Sequence, residues 1–159
     1  EFEKTIAFAV LKDGLKLGNI YLVDTSVSVK EHRILQNEAT FQGCVACSVV
    51  GLLGYKVHLE PQDSRHLEMM KTNALQRFET LMGYKYKGEF ELNLLWQNLQ
   101  KPLYFYYGNN NMPVKAWPAK WHIKARPELI NLILDVGVGS GCMNCGLGFL
   151  EAVEEKQVE

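Results

Sequence analysis

Residues 127–149 read PELINLILDVGVGSGCMNCGLGF, and this stretch is the most informative one in the chain. Pro127 predicts the first turn of a short helix that ends at Asp135. Five glycines follow within twelve residues, and a last strand is predicted at residues 149–153. Successive N–H groups in such a loop form a concavity for phosphate oxygens. Because the negative end of the helix faces the loop, any phosphate contacts would come from loop amides and neighbouring lysines.

The glycine-rich stretch matches neither common nucleotide-binding motif. A P-loop needs a lysine and a hydroxyl residue after its second glycine, and this stretch contains no lysine. A dinucleotide fingerprint follows a strand and opens a helix, whereas this stretch follows a helix and precedes a strand. A purely structural alternative is a bulged, glycine-rich entry to a strand that packs closely on a helix.

The segments upstream of the glycines alternate between strand and helix patterns. A run of β-branched and small residues predicts a strand at residues 37–50, followed by a turn at 51–55. Pro61 begins the clearest helix, whose apolar stripe, typical of a core-facing surface, runs to Leu81 before Gly83 ends it. The other predicted strands are residues 90–96, 103–107 and 114–124. The first two form either a hairpin or one long bent strand. In the third, Pro118 indicates an edge strand or a bulge.

The order of these elements predicts the fold. From residue 37 onward it is strand, helix, strand, strand, helix, strand, which is the α+β, ferredoxin-like (RRM-like) βαββαβ arrangement, an antiparallel sheet with two helices on one face. Residues 3–12 predict one more helix and residues 19–29 one more strand, too little for a domain. We therefore predict that residues 1–30 are the remnant of a preceding ferredoxin-like domain and that residues 31–159 form the C-terminal one.

Composition narrows the classes of protein that remain. The chain has 159 residues, a net charge of −1, 47% hydrophobic and 22% charged residues, which excludes a disordered protein. No apolar run is long enough for a membrane span, and no secretory signal is present, so we expect a cytoplasmic protein without membrane contact. Residues 92–127 contain no Asp or Glu but several lysines and aromatic residues. This segment suits an anionic partner that also stacks, such as RNA, or else consists of aromatic core strands with solvated lysines.

The glycine-rich stretch resembles the signature of the RAMP superfamily, and most closely that of the CRISPR repeat-processing endoribonucleases. Their pattern places Gly-x-Gly, a short variable stretch and then Gly-x-Gly-Phe before the final strand of the second ferredoxin-like domain. Here these positions are occupied by Gly137, Gly139, Gly146, Gly148 and Phe149. One departure is the first strand of that domain, where the family usually carries Ser-Pro and this chain has Val45-Ala46.

The resemblance implies that the chain binds and cleaves CRISPR repeat RNA to generate guide RNAs. The expected chemistry is metal-independent attack by a 2′-OH, with no cofactor. The family's general-base histidine usually lies in the first domain, so this chain is expected to lack it. His32, beside Lys30 and Arg33, is the remaining candidate for the catalytic base. The alternative is that His32 is only a histidine of a surface loop. His66 is expected to be solvated. The residues expected to bind RNA are Gly137, Gly139, Gly141, Gly146, Gly148, Lys115, Lys120 and Lys124.

Two other functions stay open at this point. One is a non-catalytic RNA-binding RAMP subunit with the same fold, and the other is a ferredoxin-like protein-interaction module with a structural glycine loop. The expected partner is CRISPR repeat RNA or precursor CRISPR RNA; other CRISPR-associated subunits and a homodimer are further possibilities.

Four cysteines form two Cys-x2-Cys pairs, Cys44/Cys47 and Cys142/Cys145, which on paper is a zinc pattern. The first pair falls in a predicted strand, where positions three apart point to opposite faces. We therefore expect no metal and reduced thiols, with structural zinc as the alternative.

Overall fold

The computed structural model describes residues 15–17, 19–22, 33–106, 113–140 and 146–153. The chain divides into two units, residues 1–32 and residues 33–159. In the first unit, β1 (Leu15–Leu17) pairs antiparallel with β2 (Ile20–Leu22), so the predicted strand is confirmed at its start. The helix predicted at residues 3–12 and the rest of that strand lie outside the described residues. That residues 1–30 belong to a preceding domain stays a prediction.

The second unit has the predicted α+β, ferredoxin-like topology. Its strands and helices, in chain order, are β3 (Glu38–Val45), β4 (Ser48–Val50), β5 (Lys56–His58), α1 (Ser64–Met82), β6 (Glu91–Gln97), β7 (Leu103–Phe105), β8 (Val114–Lys124), α2 (Pro127–Val136) and β9 (Leu150–Ala152). The main sheet has the order β6-β8-β3-β9 and every pairing in it is antiparallel. The two central strands are therefore the first and third of the βαββαβ unit.

The strand predicted at residues 37–50 is two strands. β3 ends at Val45, and β4 leaves the main sheet to pair with β5 in a separate hairpin. The turn of this hairpin was predicted: the Gly51 N–H donates to Tyr55 O at 2.8 Å, and Gly54 has a φ of 77°. The sequence gives no sign of the break between β3 and β4, because both strands are rich in small and β-branched residues.

Helix α1 is fixed at both ends by local interactions. The Asp63 side chain accepts a hydrogen bond from the Arg65 N–H at 2.9 Å, and Gly83 adopts the left-handed conformation with a φ of 77°. The helix buries four residues spaced four apart along one stripe, namely His66, Met70, Ala74 and Phe78. The predicted stripe therefore faces the core, although Leu81, which was included in it, is exposed.

The sheet has one face toward the helices and one face away from them. On β8, Trp117, Ala119, Trp121 and Ile123 are buried on the helix side, so the alternating residues Pro118, Lys120, His122 and Lys124 point to the opposite side. We call this second side the outer face. Of the described helices, none combines the length and the apolar character that crossing a bilayer requires.

Pro118 lies in a central strand, so the prediction that it marks an edge is wrong for the strand as a whole. The physical reason is that β6 and β7 pair with β8 one after the other, and the connection between them leaves a gap in the ladder. Pro118 O accepts a hydrogen bond from the Asn98 N–H at 2.9 Å, where β6 has just ended. The missing N–H of Pro118 therefore faces this gap. β6 and β7 follow the alternative of one long, interrupted strand rather than a hairpin.

Candidate nucleic-acid interface

The two described limbs of the glycine-rich segment, residues 137–140 and 146–149, are tied to each other and to the end of β3. The Val138 N–H donates to Gly148 O at 2.8 Å, and the Gly148 N–H donates to Cys44 O at 2.8 Å. The Ser140 N–H donates to Ala46 O at 3.2 Å, and the Ser140 hydroxyl oxygen accepts from the Ser48 N–H at 3.1 Å. The two limbs are therefore fastened together beside the end of β3. Gly141, between them, lies outside the described residues.

The end of helix α2 is capped by an arginine that sequence reasoning did not single out. Arg77 of α1 donates from Nη1 to Val136 O at 2.6 Å and to Gly137 O at 3.0 Å. Its positive charge offsets the negative end of the α2 dipole beside the glycine segment. The Gly137 N–H donates to Ile133 O at 2.9 Å. The amides of Gly137 and Gly148 are thus engaged internally, which leaves Gly139 and Gly146, among the described glycines, for the predicted amide–phosphate contacts.

Gly139 and Gly146 differ in what surrounds them. Gly139 has a φ of 112°, and a Cβ there would lie 2.8 Å from Val45 Cγ1 and 3.0 Å from Ala46 O. Gly146 has a φ of 79°, and a Cβ there would have no atom within 4 Å. Gly139 is therefore a packing position, whereas Gly146 presents its backbone to open space.

Gly146 also borders a depression of about 410 Å³ on the outer face. This outer-face depression is lined by Gln42, Cys44, Trp96, Pro118, Lys120, Gly146, Phe149 and Glu151, together with the backbone of neighbouring residues. In the sheet register Lys120 is flanked by Gln42 on the neighbouring strand β3 and by Trp96 on the neighbouring strand β6. A cation, an amide and two aromatic rings thus meet next to the glycine segment.

The three predicted lysines do not form one patch. Lys120 lies in the outer-face depression, and among the described residues no carboxylate comes within 4 Å of its ammonium group. Lys124 contacts two carboxylates, Glu89 at 3.3 Å and Glu91 at 3.7 Å, and the hydrogen bond that it donates to Glu89 raises its pKa. Lys115 lies on the same face of β8 as Trp117, not on the face of Lys120, and its Nζ lies 4.7 Å from the centre of the Trp117 ring. Lys120 is the lysine best placed for an anionic ligand.

His66 is fully buried, so the prediction that it is solvated is wrong. It lies on the core stripe of α1 and stacks on Trp121, with 6.5 Å between ring centres. Its Nδ1 donates to Leu59 O at 3.0 Å, which leaves Nε2 buried without a partner. Burial lowers the pKa of His66. A proton on Nε2 would be an unpaired buried charge, so this histidine is a core residue.

The two other described histidines, His58 and His122, lie on different strands. His122 lies on the outer face with its Nε2 3.6 Å from a carboxylate oxygen of Glu38. His58 ends β5, and its pKa is lowered first by burial and then by the charges of Lys56 and Lys115. His32, the predicted catalytic candidate, lies outside the described residues.

The first cysteine pair is divided between the two sides of the sheet. Cys44 lines the outer-face depression, while Cys47 is buried on the helix side, where its Sγ lies 3.8 Å from His66 O. Burial raises the pKa of the Cys47 thiol to about 11. Cys142 and Cys145 lie outside the described residues, so the zinc alternative is untested as a whole. Cys44 and Cys47 themselves are not arranged as a chelating pair.

Acidification is expected to destabilise the fold through His66. Because its pKa is lowered in the folded chain, the unfolded chain binds the proton more readily once the pH falls below about 6.5. The free energy of unfolding should therefore be retained above that pH and decrease as the pH falls below it. The limiting slope from one such group is about 1.4 kcal/mol per pH unit.

Urea denaturation at several pH values measures this dependence. His66→Gln should remove the His66 part of the slope, whereas His58→Gln, at a less buried site, should retain it. An unchanged slope in the His66→Gln variant would contradict the assignment.

Comparison with known proteins agrees with the observed topology. A family model described as CRISPR associated protein Cas6, C-terminal, matches residues 53–152. A search of curated proteins gives no match. Among solved structures, a Cas6-related gene product from Pyrococcus furiosus aligns with a TM-score of 0.71 and 20% identity, over 96% of this chain and 63% of that one.

Two further structures give nearly the same alignment. A CRISPR associated protein Cas6 has a TM-score of 0.70 at 16% identity, and an RAMP protein described as binding different RNA substrates has 0.70 at 22% identity. Each alignment covers 96% of this chain and 64% of the other, so the chain spans just under two thirds of these relatives. The structural likeness establishes the fold. Since the family match covers more than half of the 159 residues, the chain belongs to the Cas6 C-terminal family of CRISPR-associated proteins.

Proposed function

We propose that this chain supplies the RNA-binding C-terminal part of a CRISPR-associated endoribonuclease that cleaves repeat RNA. The observation that carries the proposal is the meeting of the glycine segment and Lys120 at one depression on the outer face. The exposed backbone at Gly146 and the Lys120 ammonium group, which has no carboxylate of the described residues within 4 Å, suit a phosphate-bearing chain. Family membership and the description of one structural relative as an RNA-binding RAMP protein support the same conclusion.

The proposed reaction needs no metal. The 2′-oxygen of one ribose loses its proton to a base and attacks the adjacent phosphorus, and the 5′-oxygen of the next nucleotide leaves and takes up a proton. The products are a 2′,3′-cyclic phosphate and a 5′-hydroxyl, so no water is consumed. Cations stabilise the charge of the transition state, and we propose Lys120 for that role.

The base is proposed to lie outside the described residues. His66 is buried in the core, and His32, which is not described, stays the candidate within this chain. A non-catalytic RNA-binding RAMP subunit is the second candidate function, and it agrees with the absence of an assigned base among the described residues. Incubation of the full-length protein with repeat RNA in EDTA separates the two, because cleavage requires the first and binding without cleavage indicates the second.

Removal of the Lys120 charge is expected to weaken repeat-RNA binding by about 3- to 10-fold. A lost phosphate contact on single-stranded RNA also reduces the slope of log K against log salt by about 0.7. Lys124→Ala is the matched control, because Lys124 lies on the same strand and the same face as Lys120. Its charge is already paired with the carboxylates of Glu89 and Glu91.

Binding should be measured by fluorescence anisotropy at several salt concentrations with the 159-residue chain. Lys124→Ala should change both quantities less than Lys120→Ala does. Equal affinities and equal salt slopes for wild type and Lys120→Ala would overturn the assignment of Lys120 to the RNA interface.

A further inference from the structure

Two aromatic side chains flank the outer-face depression and stay accessible. Trp96 is 48% exposed and Phe149 is 46% exposed, although each is a large apolar residue next to a well-formed core. The other two tryptophans of the chain, Trp117 and Trp121, are at most 3% exposed. Rings that line a depression and remain half-exposed are surfaces on which another flat group can pack.

A β-bulge puts Trp96 on this face. In the pairing with β8, Leu94 lies opposite Trp121 and Trp96 lies opposite Lys120, so Leu95 is an extra residue. In a regular strand Leu95 would lie opposite Lys120, and alternation would turn position 96 toward the helices. The bulge therefore re-aims one aromatic ring out of the core and onto the outer face, beside Lys120.

A close strand contact fixes Phe149 on the opposite flank. Leu150 is buried and pairs with Gly43, which by alternation leaves Phe149 and Glu151 on the outer face. A Cβ at position 43 would lie 2.7 Å from Phe149 O and 2.9 Å from Leu150 Cδ2. The absence of a side chain at Gly43 allows this approach, so the position of Phe149 is set by backbone packing.

The space between the rings has mixed polarity. Its floor holds the Gln42 amide and the Lys120 ammonium group, with Cys44 and Pro118 as apolar neighbours. Glu151 also lines it, and a carboxylate repels phosphate but accepts hydrogen bonds from the amino groups of bases. The combination favours a base packed on one of the rings, with the sugar–phosphate backbone toward Lys120 and away from Glu151.

We propose that the outer-face depression is a stacking site for unpaired nucleobases, with Trp96 and Phe149 as its two platforms. This inference rests on the proposed function and narrows it, because a base can enter the depression only when it is not paired in a duplex. The ligand class is therefore single-stranded RNA, or an unpaired stretch within the repeat. Gln42 and Glu151 are the groups that contact the edges of the bound base.

The intrinsic fluorescence of the protein provides a direct test, because Trp96 is the accessible tryptophan. Titration with an unpaired repeat-derived RNA should quench the emission, and the same sequence annealed to its complement should quench it much less. Trp96→Leu and Phe149→Leu should each lower the affinity for the unpaired RNA by about 5- to 100-fold, the loss that corresponds to one base stack. Trp96→Phe, which keeps a ring, should retain most of the affinity.

Tyr55→Leu is the matched control, because Tyr55 is 59% exposed but lies in the turn of the β4–β5 hairpin. Urea midpoints show whether the leucine variants fold as the wild type does. Wild-type affinity in both Trp96→Leu and Phe149→Leu, with RNA still bound, would overturn the stacking site alone. A wild-type protein that binds no RNA would instead overturn the proposed function and the stacking site with it.

Discussion

Gly139→Ala is expected to lower the free energy of unfolding by roughly 2–5 kcal/mol, the larger part of the stability of a typical small domain. Two costs combine at this position. A φ of 112° is a strained conformation for any residue with a side chain. The added methyl group would also overlap Val45 Cγ1 at 2.8 Å and crowd Ala46 O at 3.0 Å, in a place where β3 and the glycine segment meet.

Gly146→Ala is the matched control for this prediction. It imposes a similar backbone cost, since φ is 79°, but it meets no atom within 4 Å. Its expected cost is about 1–2 kcal/mol. Urea denaturation with a common m value measures both variants. Equal losses would mean that the packing of Gly139 against the end of β3 contributes nothing.

Trp121→Ala is expected to cost about 3–5 kcal/mol, as large truncations in a core do. Trp121 is fully buried at the centre of β8, and its ring stacks on His66. Trp96→Ala, on the neighbouring strand, should cost less than about 1 kcal/mol, because that ring is half-exposed. Trp121→Ala should thus mainly lower the free energy of unfolding, whereas Trp96→Ala should mainly lower the affinity for RNA.

Trp121→Phe refines the prediction. The Nε1 of Trp121 is buried without a hydrogen-bond partner, so a phenyl ring removes an unsatisfied donor while it loses volume. The expected loss is well below that of Trp121→Ala. Thermal unfolding of the three variants tests the order, and a loss for Trp121→Ala as small as that for Trp96→Ala would contradict the placement of the core.

The fold was predictable from the sequence wherever local interactions determine it. Asp63 and Gly83 fix the ends of α1 through their own backbone and side-chain geometry, and Pro127 starts α2 at the predicted residue. The role of Pro118 was not predictable in the same way. Whether its missing N–H faces a neighbour depends on where β6 ends, which is a tertiary property.

The candidate site was predictable only in part. The β8 alternation could have separated Lys115 from Lys120, and the four-residue spacing of His66 with Met70 could have indicated burial. In contrast, the side of the sheet on which Trp96 lies depends on one bulged residue, Leu95, because a shift of one residue moves a side chain to the opposite face. The Arg77 cap joins residues about sixty positions apart, so no local pattern indicates it.

The hydrogen bonds between the two limbs of the glycine segment have a consequence for how this protein family can diversify. Val138 and Gly148 close the segment at its base, and Gly148 and Ser140 fasten it to the end of β3. Residues added between the limbs would then enlarge a loop that is already closed, and doubling its length costs only about 0.6 kcal/mol. Length at this point can therefore change during evolution, or be engineered by insertion, while the sheet and the outer-face depression keep their geometry.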